Sequence, residues 1–293
     1  MKKLLFLLPT IFLLTGCPVP NPGETPVGKW YMNDPVSGAG FWAYVPQCYS
    51  SDIPSKVIVS CHGTNPWDVA EHHVRTWKYY GEKHNIIIVC PELIGTDGIF
   101  GNGPVGAMLI CERKILSILS TLCYKYNIDQ NNIMITGFSG GGFPTYFVGL
   151  RHPEIFSVVV AQNCNFNEYN LKGWYPPEAR KIPLMIYYGQ FDPQPIKDQS
   201  MHAISYFNKY NFDLTTAVLR NKGHDRMPQV ALDFFLKHAN EPKPTFGDRK
   251  KGSNLNPRNN NNAGNNRRPD GTGDDGGDIF QQPEGREPPR IDE

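Results

Sequence analysis

Residues 131–147 read "NNIMITGFSGGGFPTYF", with one serine, Ser139, set between a short apolar run and three glycines. A hydroxyl becomes a useful nucleophile when a base removes its proton and donors wait for the charge its attack creates. Three devices fit such a stretch: a flexible linker, a loop that cradles phosphate, or a tight turn that presents the serine. A linker would not be bracketed so closely by a buried strand and a helix. A phosphate loop of the Walker type needs Lys-Ser/Thr after its glycines, whereas Phe143-Pro144-Thr145 follows, and the dinucleotide glycine spacing is missing. The third device remains. Gly137-Phe138-Ser139-Gly140-Gly141 fits Gly-x-Ser-x-Gly, in which the neighbours two before and two after a serine on a strained turn must be small. The N–H of Gly140, at the start of the next helix, is then placed to donate to a developing oxyanion.

A nucleophilic serine needs a base, and eight histidines compete for that role. His62 follows a strand early in the chain, and His84 precedes one. His72, His73, His152, His202 and His238 fall within or beside expected helices. His224 alone follows the last strand, in "LRNKGHDRMP", where the base sits when the partners run serine, acid, histidine. The acid should follow the strand between them, and "LMIYYGQFDPQP" offers Asp192 there. Asp198 falls in the following helix, Glu168 lies in the long "CNFNEYNLKGWYPPEAR" insertion, and Asp225 is too close to fold back onto its neighbour's ring. Asp192 is the expected acid. A second oxyanion donor belongs in the loop after an early strand, where "VSCHGTNPW" supplies His62-Gly63-Thr64. Thr64 is the nominated donor, with His62 as a structural or hydrogen-bonding residue. No metal or cofactor is implied.

The elements that must position these groups alternate. Residues 56–61, 86–90, 133–136, 156–162, 184–189 and 214–219 are short, continuous, β-branched apolar runs, the pattern of strands covered on both faces. Between them, residues 69–83, 105–126, 142–151, 196–210 and 228–238 have helical length and period. "GFWAYVPQCY", upstream, alternates as an antiparallel edge strand. The expectation is an α/β fold with a mostly parallel central sheet flanked by helices, and chemistry at the carboxyl ends of its strands.

The ends of the chain differ in kind from the middle. "MKKLLFLLPTIFLLTGC" has a basic start and an apolar run too short to span a bilayer and be followed by a folded domain, which reads as a secretory signal over 1–16. Leu14-Thr15-Gly16-Cys17 resembles the lipobox of bacterial lipoproteins, a family in which the cysteine is acylated and becomes the first mature residue. That resemblance implies lipidation of Cys17, an anchor of two or more acyl chains, and a location on the outside of a membrane in the bacterial cell envelope, on the periplasmic face or the cell surface. Residues 17–27 form a Pro-rich spacer, 28–240 one domain, and 241–293 an Asn/Gly/Pro/Asp-rich tail too poor in apolar residues to order itself. The Asp/Gly stretch 270–278 lacks EF-hand spacing. A net charge of +1 gives no basis for nucleic-acid binding. Six cysteines remain after Cys17, with fifteen full pairings open to them. Cys111 and Cys123 share one expected helix and cannot bond to each other.

Taken together, "KVIVSCHGTNPW", "IDQNNIMITGFSGGG", "MIYYGQFDPQ" and "KGHDRMP" resemble the α/β-hydrolase superfamily over about residues 40–238. Within it the chain is similar to secreted esterases of the polyhydroxybutyrate-depolymerase and feruloyl-esterase type, in which His-Gly often stands where His62-Gly63 does. The resemblance implies a serine carboxylic-ester hydrolase working through an acyl-enzyme, with a small-molecule or carbohydrate-linked ester as substrate. "GIFGNGPVGAM" is shorter than the substrate loops of polymer-binding members, which argues against a polymer. Trp67, Phe100, Trp174, Tyr175 and Phe191 are candidates to line an apolar acyl or aryl pocket, with ordinary packing as the default for each. Two other readings share the fold: a serine peptidase of the prolyl-oligopeptidase type, whose propeller this chain has no room for, and a membrane-anchored binding protein that has lost catalysis.

Overall fold

The computed structural model describes residues 25–96, 105–171 and 175–240. The signal, Cys17, most of the spacer, Phe100, Trp174, residues 97–104 of the "GIFGNGPVGAM" region and the tail from 241 lie outside the described residues. In chain order the elements are β1 (Gly28–Asn33), β2 (Gly40–Val45), β3 (Ser55–Cys61), α1 (Ala70–His84), β4 (Ile86–Pro91), α2 (Val105–Lys125), β5 (Ile128–Ser139) and α3 (Gly142–Arg151). β6 (Val158–Cys164), β7 (Leu184–Gly189), α4 (Gln194–Lys209), β8 (Leu214–Leu219) and α5 (Pro228–His238) complete them.

The eight strands form one sheet in the order β1-β2-β4-β3-β5-β6-β7-β8. β1 and β2 pair antiparallel, β2 meets β4 antiparallel, and every pairing from β4 to β8 is parallel. Alternate residues of each central strand feed opposite faces, because successive side chains on a strand point opposite ways. Val57, Val59, Ile135, Val159 and Ile186 meet α2, α3 and α4 on one face. Ile58, Ile88, Met134, Val160 and Tyr187 meet α1 and α5 on the other. Both faces are covered, so the central strands are apolar at successive positions rather than alternating ones.

Two differences from the sequence reading have physical causes. "LTTAVL" forms β8 over the expected residues but is not covered on both faces: it is an edge strand, with Thr215, Thr216 and Val218 exposed. β1, which has no continuous apolar run, pairs instead through an alternating half-exposed face at the opposite edge, so "GFWAYV" is antiparallel as expected but lies inside the sheet, between β1 and β4.

The hairpin that carries β1 and β2 is tied to α2 by a buried carboxylate. Asp34 accepts hydrogen bonds from Ser37 N–H and Oγ, each at 2.6 Å, from Ser117 Oγ at 2.6 Å and from Thr121 Oγ1 at 2.5 Å. Burial alone would raise its pKa, but these hydroxyl and amide donors win and hold it down to about 2. Cys48, Cys61, Cys90, Cys111 and Cys164 are free thiols, and all but Cys48 are buried. Among the described residues no helix is long and apolar enough to cross a membrane.

Candidate active site

The chain leaves β3 toward β4 on one side and returns to β5 on the other, so the strand order reverses between β3 and β5. At such a switch point the loops diverge and leave a crevice at the strands' carboxyl ends. β5 ends there, on Ser139. Ser139 has φ +53°, the left-handed region that a side chain occupies at a cost of about 1 kcal/mol or more. The turn is packed so tightly that its glycines admit no side chain. A Cβ on Gly137 would sit 2.2 Å from Thr145 Oγ1 and 2.4 Å from the Gly141 carbonyl. One on Gly140 would sit 1.9 Å from the carbonyl oxygen of Thr96, in the loop after β4. Gly140 N–H makes no hydrogen bond among the described residues and lies at the N-terminal end of α3, where the helix dipole favours negative charge.

His224 lies on the loop between β8 and α5, with its ring against Phe138, centroids 4.6 Å apart, one residue from Ser139. Its Nδ1 is 2.7 Å from Asp192 Oδ1. An ionised carboxylate only accepts, so Nδ1 carries the proton and the lone pair is on Nε2. No hydrogen bond joins Ser139 Oγ to His224 here; such bonds commonly tighten when substrate arrives. The second oxygen of Asp192 accepts from Gly189 N–H at 2.6 Å and from Asn163 Nδ2 at 2.7 Å. None of the competing acids reaches His224. Asp198 lies on α4 and accepts from Gln194, Glu168 opens a short 3-10 helix (Glu168–Asn170) 3.6 Å from His202, and Asp225 N–H donates to Gly223 O.

Asn163 has no counterpart in the sequence reading. It is the penultimate residue of β6, with φ +50°, is fully buried, and its side-chain amide donates both to Asp192 and, at 3.1 Å, to the carbonyl of Gly223. It therefore joins the acid's loop to the loop of His224. The signal was present as an asparagine directly after an apolar strand, since asparagine tolerates the left-handed region.

The loop after β3 brings Thr64 to the same place. A Cβ on Gly63 would lie 3.1 Å from Cβ of Ser139. Leu93 N–H donates to His62 Nε2 at 3.0 Å, which leaves the proton on Nδ1, and Nδ1 donates to Gly63 O at 2.8 Å. That carbonyl and the N–H of Thr64 belong to one trans peptide and point opposite ways. His62 thus sets the direction of the Thr64 N–H, which has no partner among the described residues. The Thr64 hydroxyl donates to Thr96 O at 3.0 Å.

Behind the loop lies a second Ser-His-Asp line. Trp77 Nε1 donates to Ser60 Oγ at 3.0 Å, Ser60 Oγ is 2.7 Å from His73 Nδ1, and His73 Nε2 is 2.8 Å from Asp68 Oδ2. Ser60 and His73 are buried beyond the reach of any substrate, so this line is structural. Burial holds the His73 pKa below its ordinary value despite the neighbouring carboxylate. Burial would raise that of Asp68, but the donors His73 and Gly63 N–H and the charge of Arg226 hold it well below the usual carboxylate range.

Trp67 and Phe191, on the loops of Thr64 and Asp192, are 78% and 64% exposed and free to meet a ligand. Tyr175 instead packs on Phe212 and Tyr206. A cavity of about 700 Å³ opens beside the Thr64 loop, lined by Tyr31, Trp42, His62, Asn65 and Glu92 among others. Ser139 and His224 do not line it, so it adjoins the candidate nucleophile and base rather than containing them. Among the described residues no group of three or more His, Cys, Asp or Glu side chains is placed to hold a metal ion.

No family model and no curated protein matches the chain. Solved structures do. A thermostable esterase aligns at TM-score 0.54 with 18% identity over 71% of this chain, which spans 62% of that chain's length. A ferulic acid esterase from Anaeromyces mucronatus, solved with ferulic acid, aligns at 0.55 with 14% identity over 74% of this chain and 92% of that one. Dipeptidyl peptidase 4 of Porphyromonas gingivalis aligns at 0.52 with 15% identity over 72% of this chain and 35% of that one. The chain has the α/β-hydrolase fold. Identities this low speak to fold alone.

Proposed function

We propose that the chain is a serine carboxylic-ester hydrolase. The observation that carries the reading is His224, bound through Nδ1 to Asp192 and resting on Phe138 beside a serine in the left-handed conformation. Ser139 Oγ attacks the ester carbonyl carbon while His224 Nε2 takes its proton. The resulting oxyanion lies between the N–H groups of Gly140 and Thr64. Collapse breaks the bond to the alcohol, which leaves with the proton from His224, and an acyl-Ser139 ester remains. A water molecule, deprotonated by the same imidazole, releases the acid and regenerates the serine.

An ester is preferred to an amide because the chain spans 92% of the ferulic acid esterase and 35% of the dipeptidyl peptidase, and the exposed Trp67 and Phe191 suit an aryl or apolar acyl group. A panel of acetyl-xylan, feruloyl and short acyl esters, run beside peptide amides, tests the assignment. Preferential turnover of the amides would make the chain a peptidase. Activity unchanged in His224→Ala would make the assigned base wrong. A lipid anchor on Cys17 and an envelope location belong to the same reading. They predict that Cys17→Ala moves the protein from the membrane fraction to the soluble one.

A further inference from the structure

Asp68 meets both sides of the candidate site, and nothing in the serine chemistry above uses it. Its carboxylate is almost wholly buried. Oδ2 accepts from Gly63 N–H at 2.8 Å, immediately before the peptide that offers the Thr64 N–H. Its own backbone N–H donates to Thr64 O at 2.9 Å, immediately after that peptide. The peptide is thus held on both sides by one residue. Oδ1 is paired with Arg226 Nη1, two residues beyond His224 in the same loop. The Arg226 guanidinium also lies 5.7 Å from the ring centre of Phe138, the residue before Ser139.

The buried line Trp77–Ser60–His73 ends on Oδ2 and fixes the direction of the carboxylate from the body of α1. Burial disfavours a charge on His73, whereas the Arg226 guanidinium is always charged, so Arg226 is the stronger ionic partner of the carboxylate. His72 Nδ1 stands further off, 3.8 Å from Oδ1.

We propose that Asp68 is a positioning residue that sets the oxyanion donor loop and the His224 loop in register through Gly63 and Arg226. The proposal rests on the reading of Ser139 as the nucleophile. A carboxylate is suited to this task because it accepts from several donors at once and binds a guanidinium strongly. An amide at the same position keeps the volume but loses the charge and one acceptor.

The test compares wild type with Asp68→Asn, Arg226→Gln, Arg226→Lys and the double variant Asp68→Asn/Arg226→Gln on p-nitrophenyl acetate. Amide hydrogen exchange is followed at Gly63 and Thr64. Arg226 is partly exposed on a loop, so its variants remain folded even where Asp68→Asn does not. The expected result is a fall in kcat of about 100-fold for Asp68→Asn and about 10-fold for Arg226→Gln, with KM within about twofold of wild type. Arg226→Lys recovers most of the loss, the double variant is no slower than Asp68→Asn alone, and exchange at Gly63, whose N–H Asp68 binds, quickens in Asp68→Asn and Arg226→Gln. Wild-type kcat in folded Arg226→Gln, losses that multiply in the double variant, or unchanged exchange would overturn the proposal. If wild type itself neither turns over ester nor acylates, the hydrolase reading fails. The exchange rates then still decide whether Asp68 holds the loop.

Discussion

His224 Nδ1 lies 2.7 Å from Asp192 Oδ1, and the other oxygen of that carboxylate is already bound by Gly189 N–H and Asn163 Nδ2. One oxygen is therefore occupied by the backbone and Asn163, and the imidazole takes the other. Such an arrangement fixes the ring's tautomer and leaves Nε2 as the only nitrogen able to accept a proton.

Asp192→Asn keeps the volume but can place an N–H against Nδ1, which turns the imidazole to the wrong tautomer. The expected effect is a fall in kcat on the order of 10³–10⁴ with little change in KM, read by steady-state hydrolysis of p-nitrophenyl acetate. A loss of less than tenfold would mean that another group orients His224.

Asn163 is tested best by glycine, which tolerates its left-handed backbone while deleting the amide. Asn163→Gly is expected to lower kcat about 10-fold by freeing Asp192 and Gly223 together. Asn163→Ala adds a loss of thermal stability, because its Cβ must sit at φ +50°. Equal stability of the two variants would contradict this account of β6's end.

Glycine substitutions should divide by location. Gly137→Ala forces a Cβ into Thr145 Oγ1 and the Gly141 carbonyl, and is expected to destabilise by about 1–3 kcal/mol. Gly106→Ala, exposed near the start of α2 with nothing among the described residues within 4 Å of its Cβ, should stabilise by about 0.5 kcal/mol. Urea unfolding of the two variants beside wild type gives both signs.

Asp34 makes stability depend on acid pH. Its folded pKa, about 2, lies below its ordinary value of 3.8, so its contribution is full above about pH 4 and is lost as pH falls through 2. By linkage the contribution is about 2 kcal/mol at neutral pH. Asp34→Asn should therefore be less stable than wild type by about that amount at pH 7, and the gap should narrow toward pH 2. A gap independent of pH would show that the loss comes from the fit of the amide among these donors rather than from the charge of the carboxylate.

The central strands and helices were legible because burial on both faces writes a continuous apolar run into each strand, and turns separate these from the helical periods. The elbow was legible for a related reason: Thr145 and the Gly141 carbonyl stand where a side chain on Gly137 would, and that constraint is local in sequence. Asp192 and His224 could be nominated from strand order alone. The groups that hold them could not. Asp68 reaches Arg226 across 158 positions and Asn163 reaches Gly223 across 60, and no spacing rule connects residues that meet only once the sheet has formed. β1 escaped because an edge strand with one exposed face needs no continuous apolar run.

The central claim is that Ser139 is the acylated nucleophile, and covalent labelling tests it most directly. Purified protein treated with a fluorophosphonate probe should gain one adduct by intact mass, on the peptide containing Ser139. Ser139→Ala should gain none, and His224→Ala should label far more slowly than wild type. An unlabelled wild type, or an adduct that persists in Ser139→Ala, would contradict the account.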